Sequence, residues 1–215
     1  MSYKGLPFET VWVEYSEIAT VMKSIGAKQI KRINRSNIYT VPVLSDPNTG
    51  ALITDSMEIA SYLEKTYPEK SIFPHNSGAL IRAFDTAFMG LLMPAVKFLL
   101  GRSAEVLSPD SAKFFMDVRS KEFQLPWDEF VSDGAKRQME ELLEKGHNTL
   151  YEWYQKSNGK WIMGDTFSYA DIIVACSLLW YKRVMKEYEW AWISSLNGGK
   201  WVQVLEHVEK ECNLA

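Results

Sequence analysis

The sequence predicts two parts of different class, a small α/β unit followed by an all-helical region. Three observations carry this. The first seventy-odd residues switch repeatedly between alternating and helical patterning. Ser71 to Gly78, with Pro74, Asn76, Ser77 and Gly78, has the composition of a linker. From Ile81 onward the apolar residues recur at helical spacing. The domain boundaries follow: residues 1–73, a linker over 74–80, and residues 81–215.

Element by element, Glu9 to Tyr15 (ETVWVEY) alternates, with Val11 and Val13 on one face and Trp12 on the other, and is expected to be a strand. Ser16 to Ala27 sets Ile18, Val21, Met22 and Ile25 on one face of a short helix, with Gly26 near its end. Lys28 to Asn37 is polar and basic without a period, so it is a loop or an irregular helix. Tyr39 to Leu44 is β-branched and interrupted by Pro42. Asp46-Pro47-Asn48-Thr49-Gly50 then signals a turn, and Ala51 to Thr54 resumes extended structure, which makes an antiparallel hairpin. Asp55-Ser56 opens a helix carrying Ile59, Tyr62 and Leu63, and Pro68 stops it. In the second part, residues 81–100 are strongly apolar and Pro94 is expected to kink or break them. Asp110 to Lys121 and Ala135 to Tyr154 are amphipathic. Tyr169 to Met185 is apolar nearly all round, as a central buried helix would be, and Trp201 to Glu211 closes the chain with a short helix.

The chain of 215 residues has 24 Lys and Arg against 27 Asp and Glu, a net charge of −3, and is 47% hydrophobic. That mild acidity argues against nucleic-acid binding, which needs a basic surface. The apolar run from Ile172 to Tyr181 is too short to span a membrane, and the first residues lack a signal-peptide core, so a cytoplasmic protein without a membrane partner is expected. Cys176 and Cys212 form no CxxC pair, and Cys176 lies in an apolar run, so it is expected to be a reduced core thiol. His75, His147 and His207 are scattered, and no metal site is expected. No Gly-rich phosphate loop, GxSxG or HExxH is present.

Three motifs carry chemistry. Pro42 stands inside a strand, where it has no N–H for a ladder. It is either a trans proline on an edge or a cis proline that turns the Val41 backbone toward a peptide-like ligand. Asp55-Ser56 begins a helix whose first N–H groups attract carboxylates. Ser56 can donate to such a carboxylate and Asp55 can accept from an ammonium group. Equally, Asp55 with Glu58 has the form of a plain capping box. Ser168 and Asp171 make a reciprocal capping box flanked by Phe167 and Ile172 at hydrophobic-staple positions, a folding feature.

Together these motifs are more specific than any alone. The Val41-Pro42 hairpin, the Asp55-Ser56 helix start, the linker and the run from Gly164 through Ser168 to Asp171 resemble the glutathione transferase superfamily, over essentially the whole chain. Tyr3 to Tyr15 and Tyr39 to Val43 are similar to its fungal etherase-related class, the Fua type. The resemblance implies a thioredoxin-like N-terminal domain, an all-α C-terminal domain, glutathione as co-substrate and a homodimer. It also implies that Val41, cis Pro42, Asp55 and Ser56 bind glutathione. The acceptor would be a small apolar or aromatic molecule, and Phe84, Phe88, Met89 and Leu92 are candidates for its pocket wall, although helix–helix core or a dimer interface is the other reading of that stripe.

The family's N-terminal domain opens with a strand and helix that these residues do not match; Tyr3-Lys4-Gly5 corresponds to the end of that helix. The family carries there the Ser, Tyr or Cys that steadies the glutathione thiolate. No catalytic residue is therefore assigned, Tyr3 being the nearest hydroxyl. A non-catalytic binding module is the alternative to an enzyme.

Overall fold

A computed structural model describes residues 1–31, 37–130 and 132–214. The chain divides into two compact units, Pro7–Ser71 and a second formed by Met1–Leu6 with Ile72–Ala215.

In Pro7–Ser71, a turn of 3-10 helix at Tyr15–Glu17 leads into α1 (Ile18–Ser24). Two separate antiparallel ladders follow: β1 (Ile30–Lys31) with β2 (Asn37–Ile38), and β3 (Val43–Asp46) with β4 (Ala51–Thr54). The first ladder lies in the stretch read as loop or irregular helix, of which residues 32–36 fall outside the described residues. The second is the expected hairpin. Its turn closes through the Gly50 N–H, which donates to the Asp46 carbonyl at 2.9 Å, with Gly50 at φ 72 where a side chain would be strained. α2 (Ser56–Thr66) then buries Met57, Ala60 and Leu63, one side of three successive turns.

Glu9 to Tyr15 is not a strand. Residues 6–14 carry neither helix nor strand, and Tyr15 belongs to the 3-10 turn. Alternation supplies only the side-chain half of a strand; the backbone half is a ladder partner, and among the described residues none pairs with this segment. Its apolar residues stay in water accordingly: Val11 is 79% and Trp12 84% exposed.

The second unit is helical: α3 (Gly78–Leu92), α4 (Val96–Glu105), α5 (Pro109–Phe123), α6 (Trp127–Phe130), α7 (Asp133–Lys156), α8 (Tyr169–Val184) and α9 (Glu187–Glu211). Pro94 interrupts the long apolar run as expected, since it cannot donate to the preceding turn; Met93–Ala95 tightens to 3-10 there. By length and composition Gly78–Glu105 would suffice to cross a membrane. One face of it is engaged inside the protein, where Phe88, Leu92, Ala95, Phe98 and Leu99 join the core cluster, while Leu80, Met89 and Met93 stay exposed. Tyr3, from the first six residues, lies against the same core, its ring 4.7 Å from that of Phe167.

α8 is the expected central helix. Ala170, Val174, Leu178 and Tyr181 form its buried stripe. Cys176 is a correction: it projects about 200° around the helix from Val174, and it is exposed, whereas Cys212 is buried. The closing helix begins earlier than the apolar pattern showed. α9 starts at Glu187 and is broken at Leu196–Gly199, where Asn197, Gly198 and Gly199 have φ of 53, 69 and 81. Asn197 secures the break: its amide donates to Asn148 Oδ1 at 2.8 Å and its carbonyl accepts from Trp201 Nε1 at 3.0 Å.

His147 of α7 is buried, with Nδ1 donating to the Leu143 carbonyl at 2.7 Å and Trp201 edge-on at 5.2 Å. Burial lowers its pKa from 6.5 to about 4. A ring kept neutral when folded contributes stability above pH 6.5, and that stability is lost as the pH falls toward 4. The loss amounts to about 3 kcal/mol. Urea unfolding of the wild type and His147→Leu across this range should show the extra slope only in the wild type; parallel curves would contradict it.

Candidate functional site

The hairpin register brings the first two motifs together. Val43 pairs with Thr54 at the open end of the β3–β4 ladder. One residue beyond that pair stand Pro42 and Asp55, and one further Val41 and Ser56. The Val41–Pro42 peptide bond is cis, and Val41 is 47% exposed. The Val41 carbonyl accepts from Thr40 Oγ1 at 3.1 Å, which leaves its second lone pair for a ligand donor.

Asp55 turns the chain from β4 into α2 with φ 84 and ψ 132, and its Oδ1 accepts from the N–H groups of Met57 at 2.9 Å and Glu58 at 3.2 Å. This is the capping role the sequence allowed. Oδ2 carries no hydrogen bond among the described residues, so the same carboxylate can cap the helix and still meet a cation. Ser56 is exposed at the first position of the helix. The arrangement therefore presents an anionic oxygen beside the positive end of a helix, a pairing suited to a zwitterionic amino-acid group.

The remaining candidates are placed elsewhere. Phe88 and Leu92 are buried in the core of the second unit, which removes them as pocket wall: on α3 they face inward with Phe84, whose ring stacks on Phe88 at 5.9 Å and meets Trp153 at 5.7 Å. Met89, on the other side of α3, is exposed. Ser168 and Asp171 form the expected box. Asp171 is fully buried; Oδ2 accepts from the Ser168 N–H at 3.1 Å and Ser168 Oγ at 3.2 Å, and Oδ1 from the Ile162 N–H at 2.9 Å and Tyr154 Oη at 3.2 Å. Burial pushes its carboxyl above the ordinary range despite these donors. Among the described residues no group of His, Cys, Asp and Glu could hold a metal ion.

Two clusters left no mark that sequence reasoning used. Asp46 joins the hairpin turn to Tyr62 and Tyr67. Arg102 joins Glu189 across 87 residues of sequence. The Asp-Pro-Asn-Thr-Gly turn is legible, and the Asp at its head with Tyr62 and Tyr67 on the helix that follows is the sequence signal for the first.

Comparison with known proteins agrees over both units. A sequence profile of the glutathione S-transferase N-terminal domain matches residues 1–66, and one of its C-terminal domain matches residues 79–210. The glutathione S-transferase-like protein ustS of Aspergillus flavus is 28% identical over 222 aligned positions, covering 93% of this chain and 76% of its own length. Among solved structures, the glutathione S-transferase CsGST63524 of Ceriporiopsis subvermispora, in complex with glutathione, is 33% identical, with a TM-score of 0.90 over 98% of this chain and 86% of its own. The glutathione transferase GSTFuA2 of Phanerochaete chrysosporium is 29% identical, with a TM-score of 0.85 over 98% of this chain and 86% of its own. With an N-terminal unit that carries two small antiparallel ladders among the described residues and a helical C-terminal unit, the chain belongs to the glutathione S-transferase family.

Proposed function

We propose that the chain binds glutathione through Val41, Pro42, Asp55 and Ser56, and that the bound thiol reacts with an apolar or aromatic electrophile. The observation that carries this is the hairpin register, which sets Val41 level with the helix start at Ser56. A ligand carboxylate would meet Ser56, its ammonium group would meet Asp55 Oδ2, and its peptide backbone would lie along Val41. The structural relative from Ceriporiopsis, whose crystals contain glutathione, supports the ligand class. In the reaction the thiol proton is lost to solvent or a base, and the sulfur bonds to the electrophilic carbon either by displacing a leaving group such as chloride or by adding across an activated double bond, whose electron pair then takes up a proton at the neighbouring carbon. A free thiol has a pKa of about 8.5, so the step needs a group that stabilises the thiolate.

Calorimetric titration with reduced glutathione tests the reading. Ser56→Ala should weaken binding about tenfold, since a hydrogen bond to a charged group contributes about 1.5–3 kcal/mol. Asp55→Ala should weaken it at least as much, because the cap is lost as well. Absence of binding by the wild type would overturn the proposal.

One observation favours a second reading, a non-catalytic binding module. Tyr3, the nearest hydroxyl to the thiolate-steadying position in sequence, is packed on Phe167 and belongs to the helical unit. A conjugation assay with an aromatic chloride, run beside the titration, separates the readings: binding without turnover supports the module. The family reading also expects a homodimer. Leu80, Ala83, Ala87 and Gly90 form an exposed stripe along α3 that suits close packing of two helices, and light scattering on the eluted protein would check it.

A further inference from the structure

We propose that Asp46 is a positioning residue for the candidate glutathione site, acting from the opposite end of the hairpin by clamping α2. The proposal rests on the glutathione-binding reading for its functional meaning, but its geometry stands alone.

Asp46 is buried at the end of β3, and its carboxylate takes three donors. Oδ1 accepts from the Asn48 N–H at 2.9 Å, which shapes the turn. Oδ2 accepts from Tyr62 Oη at 2.6 Å and Tyr67 Oη at 2.7 Å, both of which come from α2 and its C-cap. The turn answers each tyrosine. Thr49 Oγ1 and Tyr62 Oη are 2.6 Å apart, and since Tyr62 donates to Asp46, the threonine hydroxyl is the donor here. Asn48 Nδ2 donates to Tyr67 Oη at 3.4 Å. Each phenol thus both receives from the turn and gives to its carboxylate, so the bonds reinforce one another. Tyr62 first, and then Tyr67, hold the Asp46 carboxyl below its ordinary range.

Such a network is excessive for a turn that Gly50 and the ladder already close. Its effect lies in where it attaches. α2 leaves β4 at Asp55, runs back along the hairpin for about 16 Å at 1.5 Å per residue, and is caught again at Tyr62 and Tyr67. The helix is therefore tied at both ends to the hairpin that carries Val41. With the Asp46 tie released, α2 keeps its covalent link and cap at Asp55, the packing of Met57, Ala60 and Leu63, and the Ser71–Glu64 hydrogen bond near its C-terminal end. It can then tilt about that link, carrying the Ser56 end out of line with Val41. A displacement of about 1 Å is enough to degrade a site built from fixed hydrogen-bond donors.

The test uses the full chain with Tyr62→Phe/Tyr67→Phe, which keeps both rings and removes both hydroxyls. Asp46→Asn, which retains one acceptor oxygen and the Asn48 turn, serves as the conservative partner. Amide hydrogen exchange at Met57, Glu58 and Ile59 should accelerate at least tenfold in the double variant, and less in Asp46→Asn. Exchange in Val174–Leu178 of α8 should stay unchanged. Glutathione affinity should fall in the same order, by about tenfold in the double variant, under conditions where circular dichroism shows every variant folded. Unchanged exchange at the α2 start overturns the clamp, whatever the affinities do. If the wild type binds no glutathione, the functional reading falls, and the exchange data alone still decide the clamp. Accelerated exchange with undiminished affinity would show that Asp46 stabilises the hairpin without positioning the site, and would also overturn the proposal.

Discussion

Arg102→Met should cost the protein about 3–5 kcal/mol, the range found when one partner of a buried ion pair is removed. The loss comes from what remains. Glu189 is only 2% exposed, and Arg102 grips it with two donors, Nε to Oε2 at 2.9 Å and Nη2 to Oε1 at 2.5 Å. Burial is the largest influence and pushes the Glu189 carboxyl up, but its donors together, Arg102 first and then the Lys186 N–H and Tyr188, outweigh it, so the net direction is down. Without Arg102 the carboxylate keeps the Lys186 N–H at 2.9 Å, Tyr188 Oη at 3.2 Å and a Lys136 ammonium 3.5 Å away. Those contacts neutralise it less completely than the two-pronged Arg102 contact does. Urea unfolding measures the loss, and Arg102→Met/Glu189→Met should recover most of it, because a matched apolar pair leaves no orphaned charge. A single variant within 1 kcal/mol of wild type would mean instead that Lys136 takes over the role.

Asp171→Ala should be comparably severe, about 3–5 kcal/mol and roughly 10 °C in Tm for a chain of this size. Substitution strands the N–H groups of Ile162 and Ser168 and the Tyr154 hydroxyl in the core, together with the first turn of α8. An N-cap lost at a surface helix costs only about 1 kcal/mol; here the same carboxylate also anchors the 157–167 loop through Ile162 and α7 through Tyr154. Scanning calorimetry checks the size, and an effect near 1 kcal/mol would reduce Asp171 to a simple cap. Glutathione affinity should be unchanged, since Asp171 lies in the helical unit.

What could be read from the sequence follows the range of the interactions. The Ser168–Asp171 box, the Gly50 turn, the Asp55 cap and the break at Pro94 are all decided within four residues, and they stand where the pattern put them. Val41 and Ser56 also come together by a local rule, the register of one short hairpin. Glu9 to Tyr15 misled because alternation is necessary for a strand and does not supply its partner. Phe88 and Leu92 misled because a helical stripe reads the same whether it faces a core or a cleft. The Arg102–Glu189 pair depends on the packing of α4 against the start of α9, and no spacing along the chain encodes that.

The exposed indole at residue 12 governs what fluorescence can report. It is the only tryptophan in Pro7–Ser71; the other seven, from Trp127 to Trp201, all lie in the helical unit and are at least partly buried. An indole already 84% exposed changes its surroundings little on unfolding. The emission shift in a denaturation curve will therefore follow the helical unit alone, and the unit that carries the candidate site can melt without a visible signal. Arg102 and Asp171 variants will register in that channel. Asp46 and Tyr62 variants will be silent there, and a quencher such as acrylamide will reach Trp12 in the native protein before it reaches any of the rest.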